Sequence, residues 1–229
     1  MLNFPTSTEF NRRIPKQKFY DNLSITPALK RSFIDDIKVI YWRNKLAEST
    51  LNIPAGKDVT EIEVFEIILN SQEIDEKVLR QIDSEIPYHI LFILCYNSSY
   101  ELWIGYKEAR TEDTFKVSGY YHTEWTDWTE KEALNLDIAG LSLDEVYESF
   151  VRQIAGDKLK YSSSNEALAD SIHRSEEIAQ LEKLIAKTEA AAWKEQQPKK
   201  RFEIYTKLQD YKRNLEDLKN NKTEDSQNG

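Results

Sequence analysis

The run Ile90-Leu91-Phe92-Ile93-Leu94-Cys95-Tyr96 is the longest uninterrupted apolar stretch of the chain. It is as long as a strand and far short of the roughly 18 apolar residues needed to span a bilayer. Strand side chains alternate between two faces, so a strand that is apolar throughout is expected at the centre of a sheet. Tyr100 to Lys107 follows after Asn97-Ser98-Ser99, and the two segments read as a hairpin. Phe115 to Thr123, aromatic and partly alternating, reads as a third strand.

Around this sheet the sequence predicts helices. Thr26-Pro27 is a helix start, with threonine as N-cap and proline at the first helical position. Leu29, Phe33, Ile37, Ile40 and Tyr41 continue from it as an apolar stripe, which predicts a helix reaching Lys45. A loop through Pro54 and Gly56 leads to a strand from Val59 to Leu69. Glu61, Glu63 and Glu66 interrupt that strand, so one of its faces is expected to be wet. Asp75 to Glu85 is a short helix stopped by Pro87. Ser142 and Glu145 form a capping box ahead of a helix that buries Leu143, Val146, Tyr147, Phe150, Val151 and Ile154 and ends at Gly156.

Beyond residue 156 the composition changes. All Trp, Tyr and Phe residues except Tyr161, Trp193, Phe202, Tyr205 and Tyr211 lie before that point. Residues 157–164, with Ser162-Ser163-Ser164, read as a linker. Ile178, Leu181, Ile185 and Ala192, then Ile204, Leu208, Tyr211, Leu215 and Leu218, fall on heptad spacing interrupted at Pro198. Residues 165–220 are therefore expected as a coiled-coil hairpin, and 221–229 as disordered. The class expected is α+β: residues 1–156 form a small, mainly antiparallel sheet with flanking helices, and a helical tail follows. The apolar surface left on the tail, Trp193, Phe202, Tyr205 and Tyr211, is the candidate docking surface for a partner or a second copy.

The net charge of −9 is unevenly spread. Residues 1–50 carry nine Lys/Arg and five Asp/Glu, residues 51–155 eight and 21, and the remainder equal numbers. Arg12, Arg13, Lys16 and Lys18, beside Phe19 and Tyr20, make a basic, aromatic arm at the start of the body. That combination suits phosphates and stacked bases, and equally suits docking on the acidic body. Residues 1–25 read as polar and irregular. Met1 to Pro15 hold no apolar core of a secretory signal, and Cys95 has no partner in the chain, so a cytoplasmic protein with no membrane contact is expected.

Chemistry-bearing motifs are sparse. His89, His122 and His173 stand at no metal-ligand spacing. There is no phosphate loop and no nucleophile elbow, and six glycines leave little for a nucleotide-cradling turn. No cofactor or metal is expected on this count. Asp58, Glu63 and Glu66 approach the acidic layout of a metal-dependent nuclease, with Lys107 as the lysine such a site needs and Mg²⁺ as its ion. A solvated acidic strand face is the competing reading.

Five blocks carry a family resemblance: Asn11-Arg12-Arg13-Ile14-Pro15-Lys16, Trp42-Arg43-Asn44-Lys45-Leu46, Ile86-Pro87-Tyr88-His89-Ile90-Leu91-Phe92, Trp103-Ile104-Gly105-Tyr106-Lys107-Glu108 and Tyr120-Tyr121-His122-Thr123. Together they resemble an uncharacterised bacterial family, a domain of unknown function whose genes sit beside those for adenine-specific DNA methyltransferases and superfamily-2 helicase or restriction subunits. The resemblance covers nearly the whole chain and carries no catalytic residues with it. It implies a role near DNA modification, restriction or antiphage defence, with an adjacent-gene helicase or methyltransferase as partner. Three functional readings follow. The first is a non-catalytic accessory protein docking through its tail. The second is a divergent nuclease on the acidic strand. The third is a nucleic-acid sensor acting through the basic arm.

Overall fold

In a computed structural model of the protein, residues 2–21, 25–111, 114–127, 136–159 and 167–220 are described, the side chains of 108–116 excepted. The chain divides into two compact units, Met1–Ala155 and Gly156–Gly229. Residues 160–164 of the expected linker, the first two residues of the expected hairpin (165–166) and the expected disordered end, 221–229, lie outside the described residues.

The first unit is α+β and is built on one open sheet. Its strands are β1 (Glu9–Ile14), β2 (Ile37–Ala47), β3 (Glu61–Leu69), β4 (His89–Tyr96), β5 (Ser99–Thr111), β6 (Thr114–His122) and a short β7 (Thr126–Asp127). They pair in the order β1-β2-β3-β4-β5-β6, with β7 added against β5. Every pairing is antiparallel except β3 with β4. A parallel pair needs a crossover, and here it is α3 (Glu76–Glu85), whose N-cap Asp75 accepts from Lys77 N at 2.9 Å. The apolar run is indeed an interior strand, with seven of its eight residues buried. It turns into β5 through Asn97, whose φ of +51° is a left-handed conformation asparagine tolerates.

The helix expected to run to Lys45 is a correction. α1 (Pro27–Asp35) has the expected cap, Thr26 accepting from Leu29 N at 3.2 Å, but ends at Asp35. Residues from Ile37 onward form β2 instead, paired on both sides. Ile37, Ile40 and Phe33 still meet in one core, so the apolar stripe is real but is shared between a helix and a strand. The basic arm is the second correction. It is not irregular, because Glu9–Ile14 is the edge strand β1, followed by a 3-10 turn at Lys16–Phe19.

One sheet face carries Ile40, Phe65, Ile67, Phe92 and Leu94, with Phe33 of α1 and Val78, Leu79 and Ile82 of α3 packed over it. Burying side chains of this size contributes about 1.5–3 kcal/mol each, so this core carries much of the unit's stability. α4 (Leu143–Ala155) buries Val146, Tyr147, Phe150, Val151 and Ile154, and Tyr147 meets the His89 ring at 4.4 Å. Glu145 N donates to Ser142 Oγ at 3.4 Å, while the Glu145 carboxylate accepts from Leu141 N rather than closing the box on Ser142. Gly156 ends the helix at φ +48°, in the left-handed region.

The second unit is a helical hairpin of α5 (Leu168–Lys194) and α6 (Pro198–Asn220). Pro198 does not sit in the turn but opens α6, where its missing N–H goes unused. Ion pairs Lys212–Glu189 and Lys219–Glu182, each at 2.7 Å, fix the helices antiparallel. Ile178, Ala192 and Leu208 are buried, whereas Trp193 and Phe202 are 85% and 73% exposed.

Candidate functional site

The edge where β1 meets β2 is irregular, and that irregularity builds a cleft. Glu9 faces Asn44 and Arg12 faces Trp42, so Phe10 and Asn11 stand opposite Arg43 alone. Asn11 absorbs the extra residue at φ +47°. A bulge re-aims the side chains beside it, and here Phe10 turns onto Trp42, ring centres 4.1 Å apart. The Arg12 guanidinium lies 4.4 Å from the centre of the Phe10 ring. Trp42 in turn meets Phe65 edge-on at 6.0 Å.

These rings form one side of a cleft of about 460 Å³. Ile86, Pro87 and Tyr88, between α3 and β4, form another side, and Glu63 lies in the lining. Arg12, Arg13 and Lys18 also line it and are exposed to solvent. Arg12 and Lys18, two of the four cations singled out in the sequence, therefore come together here, and Arg13 borders the cleft but pairs with Tyr41, so its side chain alternates away from the Trp42 face that Arg12 shares. The fourth stands apart: Lys16 donates to Ile34 O at 2.9 Å and Ile37 O at 2.5 Å, capping the end of α1. Burial pulls its ammonium below the ordinary lysine value.

The acidic strand does not assemble as a nuclease site. Glu63 shares the cleft face with Phe65, and three residues along a regular strand place Glu66 on the opposite face. Glu66 is held there by both nitrogens of a fork, Arg43 Nε at 3.0 Å and Nη2 at 2.8 Å. Asp58 is exposed on the loop before β3, and its backbone N–H donates to Asp144 Oδ1 at 3.1 Å. Among the described residues, no three His, Cys, Asp or Glu side chains gather as a metal-ligand group. The expected wet face is corrected too, since Glu63 and Glu66 are 1% and 6% exposed.

Lys107 has a structural partner set. Its ammonium stands 3.0 Å from Asp83 Oδ1, with both side chains buried. It also donates to Tyr88 O at 2.5 Å and reaches Ile86 O at 3.5 Å. The Tyr120 hydroxyl donates to the other Asp83 oxygen. Burial raises the Asp83 carboxyl, and Lys107 and Tyr120 oppose that rise. β5 outruns β4 past Ile104, and the Tyr147 hydroxyl serves the backbone left over, donating to Gly105 O and accepting from Lys107 N. The network therefore fixes the Ile86–Tyr88 wall of the cleft from behind.

Glu63 is the residue that sequence reading valued for the wrong reason. Neither carboxyl oxygen has a hydrogen-bond partner. Lys45, opposite it in register, is ion-paired to Glu61 at 2.7 Å. Trp42 and Glu61 are close enough for hydrogen-bond interaction, Trp42 pulling the carboxyl down and Glu61 pushing it up, yet the Trp42 indole donates to Asn44 O at 3.1 Å and Glu61 pairs with Lys45. Burial, helped by Glu61, pushes the Glu63 carboxyl up to about 8. Phe10, Trp42 and Tyr88 were also missed as a group, because they lie on three separate elements. The Trp193, Phe202 and Tyr205 rings are exposed on the hairpin, while Tyr211 is half-buried. Among the described residues no helix is long and apolar enough to cross a membrane.

A family model described as a domain of unknown function (DUF4391) matches residues 2–215. No curated protein and no solved structure matches the chain.

Proposed function

The chain belongs to the DUF4391 family, and from there we propose that it is a non-catalytic accessory protein that holds a single nucleic-acid strand in the cleft along β1. The observation carrying this reading is the pairing of Arg12 and Lys18, bordered by Arg13, with a cleft walled by Phe10, Trp42 and Tyr88. A strand is bound sequence-tolerantly by that pair of features, cations for the phosphates and rings for the bases. The cleft lies at the edge of a unit that is otherwise acidic, so the positive potential is confined to one place and a duplex has no long basic face to follow. Ion pairs already occupy Glu66 and Lys107, two of the residues that a nuclease reading would need.

In the same proposal the hairpin docks the protein on a larger DNA-processing enzyme, a helicase or methyltransferase of the kind encoded near such genes, in a bacterial modification–restriction or defence system. Exposed Trp193 and Phe202 support this, since rings of that size left in solvent mark contact surfaces. A tail-mediated homodimer is the other outcome, and light scattering of Trp193→Ala with Phe202→Ala separates it from a hetero-complex.

The strand reading is tested by titrating a fluorescent single-stranded oligonucleotide at several salt concentrations. Up to three phosphate contacts give a slope of log affinity against log salt no steeper than about −2. Substituting Arg12, Arg13 and Lys18 together by Ala should flatten it, whereas Lys16→Ala should leave it unchanged. No binding by the native protein would end the proposal.

A further inference from the structure

Glu63 is a buried acid whose carboxyl feels Trp42 and Glu61 but makes no hydrogen bond of good geometry with either. It is 1% exposed, it lines the cleft, and both its carboxyl oxygens lack partners. Leaving such a group unsatisfied is costly and calls for an explanation, which a ligand completing it would supply. Its neighbours are already engaged, Lys45 with Glu61 and the Trp42 indole with Asn44 O. The cleft volume falls in the range of roughly 300–1,000 Å³ typical of small-molecule sites. That is room for one nucleotide, with rings to take its flat face and cations to take its phosphate.

We propose that Glu63 reads the hydrogen-bonding edge of one nucleobase stacked beside Trp42, while Arg12 and Lys18 hold the adjoining phosphate. The inference rests on the strand-binding reading above and adds to it a specificity residue at the floor of the site.

The chemistry of the carboxyl sets which edge it accepts. As a neutral acid it offers one donor and one acceptor side by side. Adenine N1 with its 6-amino group, cytosine N3 with its 4-amino group, thymine N3–H with O4, and guanine N1–H with O6 each answer that pattern. As a carboxylate it offers acceptors only, and among the unmodified bases only guanine presents two adjacent donors, N1–H and the 2-amino group. Burial holds the acid neutral to about pH 8. The charged or titratable groups arranged about it are Lys45 on β2, Glu61 on β3, Arg12 and Arg13 on β1, Lys18 in the turn after β1, and Glu85 and Tyr88 on the facing wall. Base choice should therefore move with pH. All four bases are accepted on the acid side, and as the proton leaves adenine, cytosine and thymine lose their pairing while guanine keeps it.

The test compares the native protein with Glu63→Gln, using fluorescent five-nucleotide strands of A, C and T and a mixed strand containing guanine, at pH 6.5 and 9. The amide introduced by Glu63→Gln cannot ionise. A bidentate edge contact is worth about tenfold in affinity. The native protein should lose about that much for A, C and T at pH 9 while the guanine strand holds or gains. Glu63→Gln should bind A, C and T at both pH values without that loss, with its thermal transition recorded to confirm folding. Glu63→Leu, which fills the space without polar atoms, should keep the salt slope and lose base preference. Identical pH profiles in native and Gln variants, or unchanged base preference in the Leu variant, overturn the role of Glu63 while strand binding stands. Failure of every strand to bind at either pH overturns both.

Discussion

Lys107 and Asp83 meet at 3.0 Å inside the first unit, joining β5 to the last turn of α3. The same ammonium ties down Ile86 O and Tyr88 O, so a buried charge pair sets the backbone from which the cleft wall hangs. Tyr120 and Tyr147 complete it with hydroxyls from a strand and from α4. A buried pair of this kind is weak as a source of net stability but strict about geometry.

Removing one partner is expected to be costly in two readouts at once. Lys107→Met leaves the Asp83 carboxylate without its cation and the carbonyls of Asp83, Ile86 and Tyr88 without that donor, and should cost about 3–5 kcal/mol in urea unfolding. It should also weaken strand binding by loosening Ile86–Tyr88. Adding Asp83→Leu should recover part of the stability but not the binding. Loss of neither in Lys107→Met would mean that the wall stands without the pair.

Glu63 and His89 give opposite slopes to stability against pH. The Glu63 carboxyl, raised to about 8 in the fold, keeps its proton from about pH 4.5 to 8 while the unfolded chain gives it up. Stability contributed by this group therefore falls as pH rises through that window, by at most about 1.4 kcal/mol per pH unit. Burial lowers His89 to about 3, so the unfolded chain takes up a proton first and stability falls as pH drops from 6.5 towards 3. Denaturant unfolding across pH 4 to 9 should show a maximum between the two slopes. Glu63→Gln should remove the decline on the alkaline side, and an unchanged decline would place its origin elsewhere.

Gly105 sits where α3, β5 and β6 crowd together. A Cβ there would lie 2.9 Å from Tyr120 Cε1, 3.0 Å from Val117 Cγ1 and 3.2 Å from Asp83 Oδ2. Gly105→Ala is expected to destabilise the unit by about 1–3 kcal/mol through overpacking. Chemical denaturation measures it, and a neutral or stabilising result would show that Tyr120 can move aside.

In the hairpin, burial should outweigh charge. Leu208 is 3% exposed, and Leu208→Ala should cost about 2–5 kcal/mol. Lys212→Ala, which breaks a half-exposed pair with Glu189, should cost less than about 1 kcal/mol. Amide hydrogen exchange of α5 and α6 distinguishes the two, and equal effects would contradict the packing account.

The apolar run, its hairpin, α3, α4 and the paired tail helices are legible because periodicity, caps and turns agree in each. Ile37 and Ile40 mislead because their spacing continues a helical stripe from Phe33. The deciding signal is local: Ile37, Val39, Ile40, Tyr41 and Trp42 are β-branched or aromatic, and strand pairing on both sides prevails over the helical alternative. β1 is hidden because its bulge at Asn11 breaks the alternation that marks a strand. Arg12, Arg13 and Lys18 stand out from charge and aromatic company alone. Lys16 cannot be told from them in sequence, since its carbonyl partners come from the end of a helix expected to run on into β2. Glu63 and Glu66 look alike in sequence, and only the strand register separates a free acid from a paired one.

Photo-crosslinking of an oligonucleotide carrying 5-iodouracil, mapped by mass spectrometry, tests the central claim most directly. Adducts on Phe10, Trp42 or Tyr88, lost when Arg12, Arg13 and Lys18 are replaced by Ala, are the predicted result. Adducts confined to other residues, or adducts on these rings that persist without the three cations, would contradict a strand held in the cleft along β1.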